Sequence, residues 1–388
     1  MTKSGTESNF SFSTPSRDDD GIRIRLAALK LNVIEHLVPV NDLIALSSAT
    51  EFRVGSINAD AITPSTVNVR PQSYVGCNKV QPVIVNNNLI FPSIDGNLRE
   101  FVYSFQVNGY LTGNLCVRSS HLFDNFDIVD MAFTKSPTPI VWCVSSNGKL
   151  LGLTYVPEQQ VGAWHQHETI NGQFESVCVV RENNTDATYV VVKRVINGST
   201  VRYVERLESR EFESLEKCFF VDSGLSYDGS PLNVFGGLLH LRGQTVSALV
   251  DGAAFTGLVV SSGGEVTLPD GVTGSVVCIG LPITADVETL PFDAQVEGFG
   301  QGRQKNISKV WLRVQNSSGV FVGPNAGSLT EYKQRTFEPP GTPPALKTGE
   351  IEIVISPNWN DYGRIAIRQP YALPLTIMSI TMEAHFGG

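Results

Sequence analysis

Two histidines, His165 and His167, lie two positions apart in the stretch GAWHQHET. If this stretch is a strand, both imidazole rings face the same side of the sheet, because side chains alternate between the two faces. Two imidazoles on one face can share a metal ion such as zinc, which normally takes four ligands. No third ligand is close in the sequence, and a polar sheet face is the simpler interpretation. We therefore expect no metal site and no cofactor.

The motifs of common enzyme classes are missing from the sequence. It contains no HExxH zinc motif, no GxSxG nucleophile turn and no phosphate-binding Walker loop. The turns SIDGNL and SSNGKL are similar to the turn boxes of sialidase-type propellers, but the spacing identifies no arginine cluster that would clamp a carboxylate. The sequence therefore predicts a protein that is not an enzyme. A propeller that binds or cleaves host-surface glycans is the alternative.

The strongest local charge bias lies between residues 229 and 300, where seven acidic residues stand against one basic residue, Arg242. An acidic surface binds nucleic acid poorly, because affinity for DNA comes largely from Lys and Arg side chains. The simplest interpretation of such a surface is a solvated one that keeps the protein soluble.

A second charged stretch, VRYVERLESRE, follows at residues 201–211. Its alternating signs are typical of a solvated sheet edge, and they also suit an ion-pair network between subunits. Under the second interpretation, Arg202, Glu205 and Arg206 are candidates for a subunit interface.

The elements that position these residues are short strands joined by turns. Asn147-Gly148, Asn171-Gly172 and Asn197-Gly198 separate apolar runs, and Asn-Gly is the preferred two-residue turn of a β-hairpin. The same unit, an apolar run followed by a turn and a second run, begins near Leu43, Leu89, Val141 and Tyr189. A repeat of roughly 50 residues with several strands in each unit is typical of β-propeller blades. A β-sandwich is the alternative.

We therefore predict an all-β fold, a propeller-like antiparallel meander with an inserted small β-sandwich or barrel and one N-terminal helix. The predicted domains are a flexible arm (1–17), a propeller-like domain (18–228), an acidic Gly-rich insert (229–300) and C-terminal hairpins (301–388) that complete the propeller. The helix is predicted over 18–38, where five residues recur at helical spacing. These five are Ile22, Leu26, Leu29, Val33 and Leu37.

Two further features of the sequence concern the cellular compartment of the protein. The six cysteines are isolated, which predicts reduced thiols and assembly in a reducing cytoplasm without a disulfide framework. No run approaches the roughly 18 apolar residues that a membrane-spanning helix needs, and the N-terminal residues lack the apolar centre of a secretory signal.

The passage VWCVSSNGKLLGLTYVPEQQVGAWHQHET, followed by VVKRVINGSTVRYVERLE, resembles the signature of the tail nozzle proteins of short-tailed bacteriophages. These are also called tail tubular protein B, and they are related to packaged-DNA stabilisation or hub proteins. The resemblance covers about residues 8–388, since the upstream VGCNKVQPVIVNNNLIFPSIDGNLREFVYS, the acidic insert and the ending PLTIMSITMEAHFGG are also similar. Family members usually carry a long N-terminal region before the equivalent of SGTESNFSF.

The resemblance implies a structural role in the virion tail, after assembly in the host cytoplasm. It implies a homo-oligomeric ring, six subunits in related tails, next to an adaptor or portal-proximal tail protein and to tail fibres or spikes. Viral DNA would be retained in the central channel and would pass through it during ejection without specific binding. An acidic wall suits such a channel, because DNA slides along it without sticking. The resemblance therefore makes the following acidic residues candidates for lining the channel: Asp251, Glu265, Asp270, Asp286 and Glu288.

Overall fold

The computed structural model describes residues 1–26, 31–57, 61–293, 302–339 and 341–387. These residues form 28 strands and four short 3-10 helices, which confirms the all-β class. The 3-10 helices span Val117–Leu122, Pro157–Gln159, Leu215–Lys217 and Leu239–Leu241. The chain divides into two compact units. Unit 1 comprises Met1–Val195 and Thr200–Leu207, and unit 2 comprises Ile196–Ser199 and Glu208–Gly388.

Unit 1 begins with three successive sheets of four antiparallel strands, each a simple meander. Sheet 1 contains β1 (Ile34–Pro39), β2 (Leu43–Ser47), β3 (Glu51–Ser56) and β4 (Val67–Ser73). Sheet 2 contains β5 (Val83–Val85), β6 (Asn88–Pro92), β7 (Leu98–Ser104) and β8 (Gly109–Asn114). Sheet 3 contains β9 (Ile128–Thr134), β10 (Ile140–Ser145), β11 (Leu150–Val156) and β12 (Val161–His167).

A fourth sheet of unit 1 has only three strands. Sheet 4 contains β13 (Gly172–Glu182), β14 (Thr185–Ile196) and β15 (Ser199–Arg206), in that order. β14 and β15 are joined at Asn197-Gly198, where both residues have positive φ, 48° and 78°. This is the two-residue hairpin turn that the sequence predicts.

The four sheets are stacked in chain order, with an apolar core between each pair of neighbours. Phe91 of sheet 2 packs with Ile44 and Leu46 of sheet 1. Sheets 2 and 3 meet at a core that contains Leu98 and Val141. Sheets 3 and 4 meet around further apolar side chains: Trp142, Val144, Phe174, Val177, Val190 and Val192. Sheets 1, 2 and 3 thus have the four-stranded meander order of a propeller blade, and all four sheets pack face to face as blades do.

The predicted repeat corresponds to these sheets. Leu43, Leu89, Val141 and Tyr189 lie in β2, β6, β10 and β14, the second strand of each sheet. The turn at Asn147-Gly148 joins β10 to β11 as predicted. Asn171-Gly172 does not form a hairpin, because β12 and β13 belong to different sheets.

The N-terminal helix predicted over 18–38 is wrong where the structure describes it. Residues 18–26 and 31–33 are irregular, and β1 begins at Ile34; Leu29 lies outside the described residues. Two apolar residues of this segment pack on sheet 1 instead. Ile24 and Leu26 contact the core around Phe52 and Val54, on the face of sheet 1 that sheet 2 does not cover. At the start of the chain, residues 1–22 fold back on themselves around Asp20.

Unit 2 contains three sheets and one strand pair. Sheet 5 has the order β16 (Asp222–Leu232), β21 (Gly274–Leu281), β18 (Thr245–Val250), β19 (Ala253–Val259), and the pair is β17 (Val234–Phe235) with β20 (Val266–Thr267). Sheet 6 has the order β22 (Ala285–Glu288), β27 (Ala366–Gln369), β24 (Phe321–Asn325), β25 (Ser328–Glu331). Sheet 7 has the order β26 (Lys347–Val354), β23 (Lys305–Ser317), β28 (Ile377–Phe386).

Two apolar cores organise unit 2. Sheet 5 and the β17–β20 pair enclose the first, around Val246 and Ile279, and the described strands form no closed barrel there. Sheets 6 and 7 enclose the second, around Val310 and Val322.

The domain boundaries therefore differ from those predicted. Residue 229 lies inside β16, and β22 of the predicted insert pairs with β27. Strands β23 to β28 do not complete the first domain but belong, together with β22, to sheets 6 and 7 of unit 2. β23 and β24 do not form a hairpin, because β23 pairs with β26 and β28.

Candidate functional site

Asp251, the first predicted channel-lining residue, lies in the turn between β18 and β19. It has φ 46° and is followed by Gly252 at φ 85°, as a two-residue hairpin turn requires. Its exposed carboxylate accepts hydrogen bonds from the backbone N–H groups of Ser275 (3.1 Å) and Val276 (2.8 Å). Asp251 therefore has a structural role, because it fastens its turn to the start of β21.

Glu265 and Asp270 lie in turns on either side of β20, and both are exposed. Neither carboxylate forms an ion pair with any residue that the structure describes. Asp251, Glu265 and Asp270 thus place three negative charges on sheet 5 and the β17–β20 pair. No cationic side chain among the described residues pairs with them.

Asp286 and Glu288, the other two predicted lining residues, are neutralised by arginines. On β22, Asp286 accepts two hydrogen bonds from Arg368 of β27, Nε–Oδ1 at 2.6 Å and a second guanidinium nitrogen to Oδ2 at 2.8 Å. Glu288 accepts one from Arg364 at 3.1 Å, and that guanidinium also lies 4.8 Å from the centroid of the Tyr362 ring. The five predicted residues thus separate into three without a cationic partner and two in ion pairs.

The predicted interface residues form ion pairs inside the chain, across the strands of sheet 4. Arg202 binds Glu175 with two hydrogen bonds of 2.5 and 3.1 Å. Arg206 binds Glu182 at 3.1 Å, and Glu182 also accepts a hydrogen bond from the hydroxyl of Tyr189. These exposed side chains therefore need no partner from another subunit.

Glu205 lies on the opposite face of β15 and pairs with a buried cation. Its two carboxylate oxygens accept hydrogen bonds of 2.9 Å from Nε and a terminal nitrogen of Arg194. Arg194 also donates to Thr169 Oγ1 at 2.6 Å. The sequence predicted none of these pairings. The partners lie 11 to 27 residues apart along the chain, and only the register of the sheet brings together the members of each pair: Glu175 with Arg202, Glu182 with Arg206, and Arg194 with Glu205.

His165 and His167 lie on the same face of β12, as predicted. Nδ1 of His165 and Nε2 of His167 are 2.9 Å apart, and both rings contact the Trp142 indole, with centroids at 5.6 and 5.4 Å. His165 also covers Gly152 of β11, where any side chain would collide with the imidazole. Within the described part of the chain, no three His, Cys, Asp or Glu side chains form a group that could hold a metal ion. The two rings are part of the packing around Trp142.

All six cysteines are free thiols. Five are buried, and burial raises the pKa of Cys77, Cys116, Cys218 and Cys278 to about 12. Cys178, on β13, is exposed. None of the helices in the described ranges is long and apolar enough to cross a membrane.

The chain matches no protein-family model, and no curated protein matches it.

Proposed function

We propose that this chain is a non-enzymatic structural subunit of a bacteriophage tail, one that forms a nozzle or tube ring around a DNA channel. The resemblance of the segment from VWCVSSNGKLLGLTY to VRYVERLE supports this role. So does the construction of unit 1, in which four blade-like sheets are held together by apolar cores. Such a scaffold suits a part that must withstand the passage of DNA.

The observation on which the proposal depends most is the set of carboxylates without cationic partners on sheet 5 and its strand pair. Asp251, Glu265 and Asp270 are exposed, and Arg242 is the only Lys or Arg between residues 229 and 300. Such a surface gives DNA no binding free energy, because counterion release requires Lys or Arg side chains at the phosphates. Its negative charge also repels the phosphate groups. DNA can therefore slide past it without being held. Asp286 and Glu288 contribute less, because Arg368 and Arg364 offset their charge.

Electron microscopy of the purified protein tests the ring directly. We expect closed rings with an axial hole, with six-fold symmetry as the resemblance implies. Monomers that retain or hydrolyse a bacterial polysaccharide would contradict this proposal and support the glycan-binding alternative.

Charge reversal tests the role of the acidic surface. The double variant Glu265→Lys with Asp270→Lys should fold normally, because both side chains are exposed. We expect its rings to retain duplex DNA at low salt and to release it as salt is raised. The logarithm of the DNA-binding constant should fall by about 0.9 per tenfold rise in salt concentration for each phosphate contacted. The control is Asp124→Lys with Asp127→Lys, which makes the same charge change at exposed positions of unit 1. Equal DNA retention by both variants would contradict a channel role for sheet 5 and its strand pair.

A further inference from the structure

Among the described residues, sheet 4 has no counterpart of the fourth strand of sheets 1, 2 and 3, and β15 is its last strand. The N–H of Leu207 donates to the carbonyl of Thr188 at 2.8 Å, so the backbone of Leu207 is directed toward β14. Successive residues of a strand direct their backbone groups to opposite sides. Arg202 and Val204 therefore present their N–H and C=O groups to the outer edge. The Val204 side chain is 73% exposed beside that edge. Such an edge is a template for one more strand.

The N-terminal segment Ser8–Ser13, SNFSFS, has the alternation of a strand that pairs along one side only. On one side, the carbonyl of Ser11 accepts from Gly21 at 3.1 Å, and the N–H of Ser13 donates to Asp20 at 2.8 Å. The intervening residues, Phe10 and Phe12, expose 69% and 79% of their surface. The segment thus has one edge held by its own chain and two large apolar side chains in solvent, an arrangement that costs free energy unless another surface covers them.

The two features belong to the first and to the fourth sheet of the series. Apolar cores join sheet 1 to sheet 2, sheet 2 to sheet 3 and sheet 3 to sheet 4, and in the described residues no core joins sheet 4 to sheet 1. The segment is fastened at the sheet 1 end by Asp20, and Ile24 and Leu26 pack on that sheet.

We propose that residues 8–13 of one subunit add to the edge of β15 in a second copy of this chain and supply the missing fourth strand of its sheet 4. Main-chain hydrogen bonds give the affinity of such strand addition, and side-chain contacts give its specificity. Phe10 and Phe12 would cover apolar side chains beside the edge, Val204 among them. Because donor and acceptor are different surfaces, the contact is head-to-tail, and repetition generates a ring or a filament. This inference rests on the ring of the proposed function and names the contact that builds it.

Two variants remove the donor and the acceptor separately. Phe10→Asp with Phe12→Asp places charges on the apolar face of the donor. Val204→Pro removes the one N–H that Val204 offers to the outer edge and keeps the bonds between β14 and β15, since proline is tolerated in edge strands. Val204→Thr, which keeps that N–H, is the matched control. We expect each of the first two variants to weaken self-association at least about tenfold, measured by sedimentation velocity, and the control to assemble like the wild type.

Mixing the variants decides whether the contact joins two chains. The Phe10/Phe12 variant keeps its acceptor edge and the Val204→Pro variant keeps its donor segment. We expect a 1:1 mixture to form heterodimers, although each variant alone is monomeric. Variants that still form rings alone would overturn the strand-addition contact and leave the ring proposal intact. Monomeric variants that do not associate when mixed would likewise overturn it. A wild-type protein that is monomeric at all concentrations would overturn the ring itself.

Discussion

Tyr155 of sheet 3 donates a hydrogen bond of 2.6 Å to the carboxylate of Glu100 in sheet 2. The same hydroxyl accepts a hydrogen bond of 2.9 Å from the side-chain amide of Asn88. Tyr155 is buried, and burial together with the Glu100 carboxylate raises its pKa. The two sheets are thus joined by a satisfied polar contact as well as by their apolar core.

The first prediction follows from this contact. Tyr155→Phe removes the hydroxyl and leaves Glu100 and Asn88 without their shared partner, so the free energy of unfolding should fall by about 1–2 kcal/mol. Chemical denaturation measures this change. The matched control is Tyr103→Phe, because the Tyr103 hydroxyl binds Asn108 in an exposed hairpin. Equal losses for the two variants would show that the contact between sheets contributes nothing specific.

The second prediction concerns the core between sheets 3 and 4. Trp142 is only 2% exposed, packs on Phe174 and Val192, and donates from Nε1 to Thr134 Oγ1 at 2.9 Å. Trp142→Ala should lower the free energy of unfolding by about 3–5 kcal/mol, because it removes buried surface and leaves a cavity. Trp359→Ala is the control, since that indole is about half exposed. Unchanged thermal stability of the Trp142 variant would contradict the blade packing.

The repeat of unit 1 was predictable from the sequence because it depends on local chemistry. A second strand begins near Leu43, Leu89, Val141 and Tyr189, each followed by a polar turn that fixes where the chain reverses. The helix prediction failed because Leu37 fits a helical spacing and a strand equally well, whereas pairing of residues 34–39 with β2 fixes it in a strand.

The ion pairs and the boundaries of unit 2 could not be predicted, because they depend on pairing between distant segments. Asp286 and Arg368 meet only when β22 pairs with β27. The change in composition near residue 229 marks a change in surface charge, and the underlying strand, β16, runs through it. Composition therefore indicated where the charge changes and not where the unit begins.

The third prediction compares a buried with an exposed arginine in sheet 4. The Arg194 side chain is 3% exposed and that of Arg202 is 59% exposed, although both form bidentate pairs with a glutamate. Arg194→Ala should lower the free energy of unfolding by about 3 kcal/mol, because Glu205 loses its charge partner in a mostly buried place. Arg202→Ala should change it by less than about 1 kcal/mol. Similar losses in urea denaturation would contradict the structural role assigned to Arg194.

The fourth prediction uses the cysteines. A thiol reagent acts on the thiolate, so buried thiols with raised pKa react slowly. We expect one of the six cysteines, Cys178, to react rapidly in the native protein and all six to react after denaturation. Cys178→Ser should abolish the rapid reaction and leave the stability unchanged. Rapid reaction of two or more thiols in the native protein would contradict the burial of the other five.

The last prediction concerns the anchor of the N-terminal segment. Asp20 accepts hydrogen bonds of 2.8 Å from the backbone N–H groups of Arg17 and Ser13, which lower its pKa from 3.8 to about 2. Because the folded-state pKa is depressed, the carboxylate stabilises this fold-back above pH 4. That contribution is lost as the pH falls toward 2. We expect the amide resonances of Ser13 and Arg17 to titrate together near pH 2, as followed by nuclear magnetic resonance.

Asp20→Asn is the control, because an amide does not ionise in this range. In that variant the transition near pH 2 should disappear, and the exchange of the Ser13 and Arg17 amide protons at neutral pH should become faster than in the wild type. A transition at the ordinary carboxyl value near 4, or one that persists in the variant, would mean that Asp20 does not hold the segment. The Phe10 and Phe12 face would then have no fixed position relative to sheet 1.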